Sequence, residues 1–193
     1  MTGQNKRPIP LAKLTVCALF AALIAVLAQL AIPVPFSPVP FTGQVVGVLI
    51  TGALLGPKAG VITIAAYLLL GAAGAPVFSM ARGGIYMLTG PTGGYLWGFI
   101  PAVAVTGQLL KISTKPSSLY TALLMIPAIF FIYLFGALQL GILMQYSIKQ
   151  VILLGILPFL PFDLAKLVIA ALLSSKIKMS LDHNGLAHLL EDS

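Results

Sequence analysis

GAAGAPVFSMARGGIYMLTGPTGGYLWGF, residues Gly71 to Phe99, is the stretch on which the fold turns. It is glycine-rich, broken by two prolines, closed by Tyr95, Trp97 and Phe99, and carries a single arginine, Arg82. On either side the chain is almost wholly apolar. Irregular backbone at membrane depth is tolerated only where protein buries it or where it lines a cavity, because lipid offers no partner for a free peptide group. A plain connecting loop is the alternative, but the density of unpaired peptide groups favours a pocket.

Composition identifies the solvent. Of 193 residues, 59% are hydrophobic and 8% charged, which is far from the balance of a water-soluble domain and marks an all-α membrane protein. The net charge of +7 does not indicate nucleic acid, since the basic residues stand singly at the ends of apolar runs and not in clusters interleaved with aromatics. The one cysteine, Cys17, lies within the first apolar run and has no partner for an intrachain disulfide.

Outward from the central stretch, six spans are expected. Leu14 to Ile32 is an uncharged run preceded by Lys6, Arg7 and Lys13, too long for the apolar region of a cleaved signal peptide. Gly43–Leu55 and Ala59–Gly71 follow, separated by Gly56, Pro57 and Lys58. Glycines 43, 47, 52, 56 and 60 suit close helix contacts. GALLGPK, Gly52 to Lys58, fails as a nucleotide cradle on both spacing and the missing Ser or Thr. Gly93–Leu110, Leu119–Leu140 and, after a mixed segment to Leu157, Pro161–Ser175 complete the set. Lys6, Arg7, Lys13, Lys58, Lys111, Lys115, Lys176 and Lys178 then fall on one side, and Arg82 and Lys149 on the other. That asymmetry places both termini in the cytoplasm, with residues 1–13 as an N-terminal lead and 179–193 as a polar tail on one transmembrane domain spanning 1–193. His183 and His188 in that tail are five apart, on different faces of a helix, and do not suit a metal.

IPVPFSPVPFTGQ, Ile32 to Gln44, holds four prolines and reads as a stiff, extended loop. Being apolar, with Phe36 and Phe41, it is expected to lie across the pocket as a lid and not to hang in water.

Outside the tail the chain has one carboxylate, Asp163, with Lys166 three positions on and hence on the same helix face. Asp163 after Pro161 also suits the first turn of a helix, where Lys166 would merely neutralise it. Yet a charge in a membrane segment costs about 2.5–3.5 kcal/mol on insertion scales, and chains that retain one generally use it. With Arg82 on the same side, one external pocket can hold all three. No second carboxylate, no histidine in a span and no nucleophile beside a base leaves catalysis, metal or covalent, without its parts. No catalytic residue, metal or cofactor is expected. A site with one acceptor carboxylate, one or two cations and apolar walls suits an amphipathic small molecule with N–H donors and an anionic end.

PVPFSPVPFTGQ, GAPVFSMARGG, GPTGGYLWGF and PFDLAK together resemble the BioY family, the biotin-binding S components of energy-coupling factor (ECF) transporters. The resemblance covers Leu14 to Lys178. It implies the S-component fold with six transmembrane helices in a prokaryotic plasma membrane, and high-affinity capture of biotin from outside. It also implies docking on a transmembrane coupling subunit driven by two ATPase subunits. In that family an alanine motif of the first helix serves docking, which corresponds here to Ala18 and Ala22. A ureido ring would offer N–H groups to Asp163, and a valerate carboxylate would meet Lys166 or Arg82. Ser79, Gly83 and Gly84 of GAPVFSMARGG, with Gln44, Tyr95 and Phe36, complete the expected substrate-binding set. A different class stays open: a self-sufficient, proton-coupled vitamin transporter with Asp163 as its proton relay.

Overall fold

The computed structural model describes residues 11–112 and 117–184. Lys6, Arg7, Lys115, His188 and the end of the tail, for which sidedness and a solvated role are expected, lie outside the described residues.

Helix α1, Leu11–Gln29, is followed by a two-stranded ribbon, β1 Ala31–Ile32 and β2 Phe41–Thr42, paired antiparallel with Ala31 opposite Thr42. Then come α2 Gln44–Ala72, a short 3-10 turn Ser79–Ala81, α3 Tyr86–Thr89, α4 Gly93–Ile112 and α5 Ser118–Met144. A short α6, Ile148–Val151, runs into a π-helical turn, Ile152–Ile156, before α7, Leu160–His183. Four of these helices, α1, α2, α4 and α5, are long and apolar enough to cross a membrane. A fifth span results if Ile148–Ile156 and Leu160–His183, bent by 45°, act as one. The chain is a multi-pass membrane protein.

The long α2 is not one straight rod. Gly56 has φ 72° and ψ −177°, outside the helical region and accessible to glycine without strain. Gln44 Nε2 donates to Tyr67 Oη at 2.6 Å, although those residues would lie about 34 Å apart on a continuous helix. A Cβ built on Gly60 would also stand 3.8 Å from Gly52 Cα. The chain therefore doubles back at Gly56-Pro57 into two antiparallel arms, 44–55 and 57–72, which agrees with the break expected from the sequence.

Glycine lets these arms and their neighbours approach. Gly47 sits against Ile24 and Leu27 of α1, Gly52 against the Val103 carbonyl and Thr106 of α4, and Gly107 of α4 against the Gly56-Pro57 peptide. On the other flank of α4, Gly94 and Gly98 face the α5 backbone at Phe135 and at Phe131–Ile132. The core runs through this contact line, with Ile24, Val48, Ile64, Val103, Met125 and Leu140 almost fully buried.

Several boundaries differ from the sequence expectation: α1 begins at Leu11, inside the expected N-terminal lead, and α5 runs past Leu140 to Met144. The first helix stops at Gln29 and not at Ile32, because Pro33 biases the residue before it towards extended backbone, here a strand. The last helix continues past Ser175 to His183, so residues 179–183 of the expected polar tail are helical. Lys176 and Lys178 lie within it, and the Asn184 side chain donates to the Ser180 carbonyl at 2.7 Å where it ends.

The turn before α7 follows from its prolines. Pro158 has no N–H to give the Leu154 carbonyl, and the Phe159 N–H goes to the Ile156 carbonyl, leaving Leu154 and Gly155 unpaired within the helix. Ser37 Oγ donates to the first at 2.7 Å and Tyr95 Oη to the second at 2.8 Å. The broken helix is thereby fastened to the proline-rich loop and to α4.

Candidate functional site

A pocket with a cavity volume of about 60 Å³ opens at the end of the bundle where the first arm of α2 meets the starts of α4 and α7. Val39, Pro40, Phe41 and Thr42 of the ribbon form one wall, and Phe78, Ser79 and Met87 of the irregular stretch a second. Thr92, Tyr95, Leu96 and Phe99 of α4 face Ile132 and Tyr133 of α5, with Phe159, Asp163 and Lys166 beside them. The first turns of α2 and α4, at Gln44–Val45 and Thr92–Leu96, and that of α7 thus all meet the same space. Helix N-termini carry partial positive charge and favour an anion.

At the centre, Asp163 is 6% exposed. Lys166 Nζ lies 2.7 Å from Oδ1, and Tyr133 Oη donates to Oδ2 at 2.6 Å. Asp163 stands in the first turn of α7, where the dipole supports its charge, and the lysine does neutralise it. The two side chains also line the pocket. Tyr95 meets Tyr133 edge to face, with ring centres 6.5 Å apart. Gly136 leaves the room for the Tyr95 ring, since a Cβ there would overlap it. Across the pocket, Gln44 bonds Tyr67, whose hydroxyl donates to the Val77 carbonyl at 3.0 Å and fixes the approach to Phe78. Phe78 is fully buried edge-on to Tyr67, in a niche that exists because Gly71 has no side chain.

Of the residues expected from the sequence, Asp163, Lys166, Gln44, Tyr95 and Ser79 come together in the wall. Arg82, Gly83, Gly84 and Phe36 do not. The segment after Phe78 curls back so that the Phe78 N–H meets the Arg82 carbonyl at 2.9 Å, turning Phe78 inward and leaving Arg82 exposed. Gly83 instead packs on the carbonyls of Gly74 and Ala75, and Gly84, at φ +103°, donates its N–H to Gly71. Phe36 is at the loop tip, 58% exposed. Met80 and Ala81 hold left-handed backbone, φ 61° and 55°, with Ala81 N–H bonded to Gln29 Oε1 at 2.8 Å. The pocket loop is thus tied to α1.

Tyr133 and Phe159 are wall residues that sequence reasoning missed. Neither belongs to a local motif: Tyr133 lies thirty positions before the carboxylate it bonds. Phe41 meets Phe159 at a tilt and Phe162 edge-on, both with ring centres 4.7 Å away, so the proline-rich loop is seated on the start of α7 by aromatic contact and on the π-helical turn by Ser37. Replacing 33–40 by a short Gly-Ser linker is expected to weaken ligand binding about ten-fold or more by calorimetry, through loss of the Val39–Pro40 wall and added loop entropy. Unchanged affinity would reject the loop as a cover.

Ala18 and Ala22 are exposed on the outer face of α1, opposite buried Ala21, Ile24 and Ala28. Among the described residues no group of three or more His, Cys, Asp or Glu is placed to hold a metal.

A model of the BioY family matches residues 2–183. The chain is 42% identical over 160 residues to a biotin transporter BioY from Thermotoga maritima, covering 83% of this chain and 92% of that one. It is 37% identical over 172 residues to a biotin transporter BioY from Rhizobium etli, covering 85% and 91% respectively. Among solved structures, the S-component for biotin from an ECF-type ABC transporter superposes with a TM-score of 0.81 at 29% identity, covering 93% of this chain and 95% of that one.

Proposed function

The chain belongs to the BioY family, and from that membership we propose that it is the high-affinity biotin-capture subunit, the S component, of an ECF transporter. The observation that carries the proposal is the largely apolar pocket holding one carboxylate between a lysine and a tyrosine hydroxyl. Biotin has the matching parts: a ureido ring with N–H donors, an apolar bicycle and an anionic tail. Asp163 takes a ureido N–H, and the aromatic and aliphatic walls cover the bicycle. Lys166, 2.7 Å from Asp163, holds that acceptor ionised, and the starts of α2 and α4 that meet the pocket attract the ligand's carboxylate. Gln44, Tyr95 and Ser79 complete the direct set. Arg82, with Gly83, Gly84 and Phe36, belongs to the two loops over the mouth, where Arg82 draws the anion in from outside.

The domain is proposed to be a single unit of six membrane-crossing segments with both termini cytoplasmic. The reversal at Gly56 supports that count by dividing α2 into two crossings, to which α1, α4, α5 and α7 are added. The coupling subunit docks on the exposed Ala18–Ala22 face of α1, small enough for close helix approach, and a pair of ATPase subunits supplies the energy.

Proteoliposomes test this reading directly. The chain alone is expected to bind biotin at one site per chain without accumulating it, and accumulation is expected once the coupling and ATPase subunits and ATP are supplied. Uptake by the chain alone under a pH gradient would instead make Asp163 a proton relay and overturn the assignment.

A further inference from the structure

A carboxylate presents about four lone-pair directions on its two oxygens. Lys166 occupies one at Oδ1 and Tyr133 one at Oδ2, and the two donors arrive from different helices, α7 and α5. A carboxyl group held at both oxygens cannot rotate freely, and its remaining acceptor positions keep a fixed direction within the pocket that all three residues line. The Tyr133 ring is itself held edge-on to Tyr95, whose hydroxyl is bonded to the Gly155 carbonyl of the π-helical turn. Its opposite side lines a second, apolar groove between α5 and the 148–164 segment, bounded by Ile129, Phe130, Ile156 and Leu160. One side chain thus walls the pocket from the membrane face and orients its only carboxylate among the lining residues.

We propose that Tyr133 is a positioning residue that sets ligand specificity: its hydroxyl fixes Asp163 as an acceptor, so that the pocket selects a ligand presenting N–H donors there over one of the same shape without them. This rests on the reading of Asp163 as the group that meets the biotin ureido ring. A buried acceptor left unpaired by a ligand lacking the donor carries a desolvation penalty, and orientation makes that penalty selective.

The test uses the purified full chain and calorimetric binding of biotin and of biotin methylated at the ureido nitrogens. Tyr133→Phe keeps the ring and the wall and removes only the hydroxyl. It is expected to weaken biotin roughly ten- to hundred-fold, the range for a hydrogen bond to a charged group, while binding of the methylated analogue changes little. The ratio between the two ligands therefore collapses. Asp163→Asn with Tyr133→Phe should bind biotin within about two-fold of Asp163→Asn alone, as expected for two residues acting through one contact. Tyr133→Gln, which returns a donor, should restore part of the ratio. Equal weakening of both ligands, multiplying losses in the double variant, or normal binding by Tyr133→Phe would each reduce Tyr133 to a wall residue and overturn the proposal. Normal biotin binding by Asp163→Asn alone gives a separate signature: it removes the premise about Asp163, and this inference with it.

Discussion

Asp163→Asn protein is expected to bind biotin at least about a hundred-fold more weakly than the unaltered chain. The substitution preserves volume, so the pocket walls stay in place, but it removes the charge that Lys166 and Tyr133 are arranged around. An asparagine can keep its oxygen toward Lys166 only by turning its NH₂ group to the Tyr133 hydroxyl. The ureido donor then meets an acceptor already committed or a donor like itself. Lys166, whose side chain is 18% exposed, is also left without its counter-ion. Losing a hydrogen bond from the ligand to a charged acceptor costs about 1.5–3 kcal/mol, more where a donor is left facing a donor, and 1.4 kcal/mol is ten-fold in affinity. Calorimetry with biotin measures the loss, and a melting curve of the ligand-free variant separates it from unfolding. A dissociation constant within about three-fold of the original would exclude Asp163 from the site.

Gly94→Val is expected to lower the melting temperature and to abolish biotin binding. A Cβ at this position would overlap the Phe135 carbonyl and come within 2.8 Å of Gln139 Cβ, so the obstacle is largely backbone and cannot swing aside. Helix α4 must then move away from α5. That displacement opens the joint that brings Tyr95 to Tyr133 and carries the Gln139 bonds to the Leu88 and Gly90 carbonyls at 2.9 and 2.7 Å. Overpacking of this kind costs about 1–3 kcal/mol where side chains can yield, and more where they cannot. A fall of roughly 5–10 °C in melting temperature, with loss of biotin binding in what remains folded, is the expected result. A variant melting as the original does would show that the two helices tolerate separation.

Much of this arrangement was legible beforehand, for physical reasons that differ by residue. Asp163 and Lys166 stood out because a charge among apolar residues is costly and their spacing puts them on one face. The doubling back at Gly56-Pro57 was readable because a glycine and a proline together interrupt a helix. What escaped was whatever depends on contacts between distant segments. Tyr133 is an ordinary aromatic in an apolar run until α5 is set beside α7, and Ser37 is an ordinary loop hydroxyl until Pro158 frees the carbonyl it caps. Arg82 was drawn into the pocket by its charge, but the backbone link from Phe78 to Arg82 decides which side chain of that segment points inward. Sequence spacing carries no record of such a curl.

The turn at Gly56 leaves the protein with unequal hydrophobic heights. The 44–55 arm is about 18 Å long and its partner about 24 Å, whereas α5 reaches about 40 Å, against a hydrocarbon layer of about 30 Å. No upright placement matches both sides: lipid must thin beside the short arms, or the whole body must lean until the long helix lies oblique. A subunit built in this way meets the bilayer with one flank shorter than the hydrocarbon layer and the other longer.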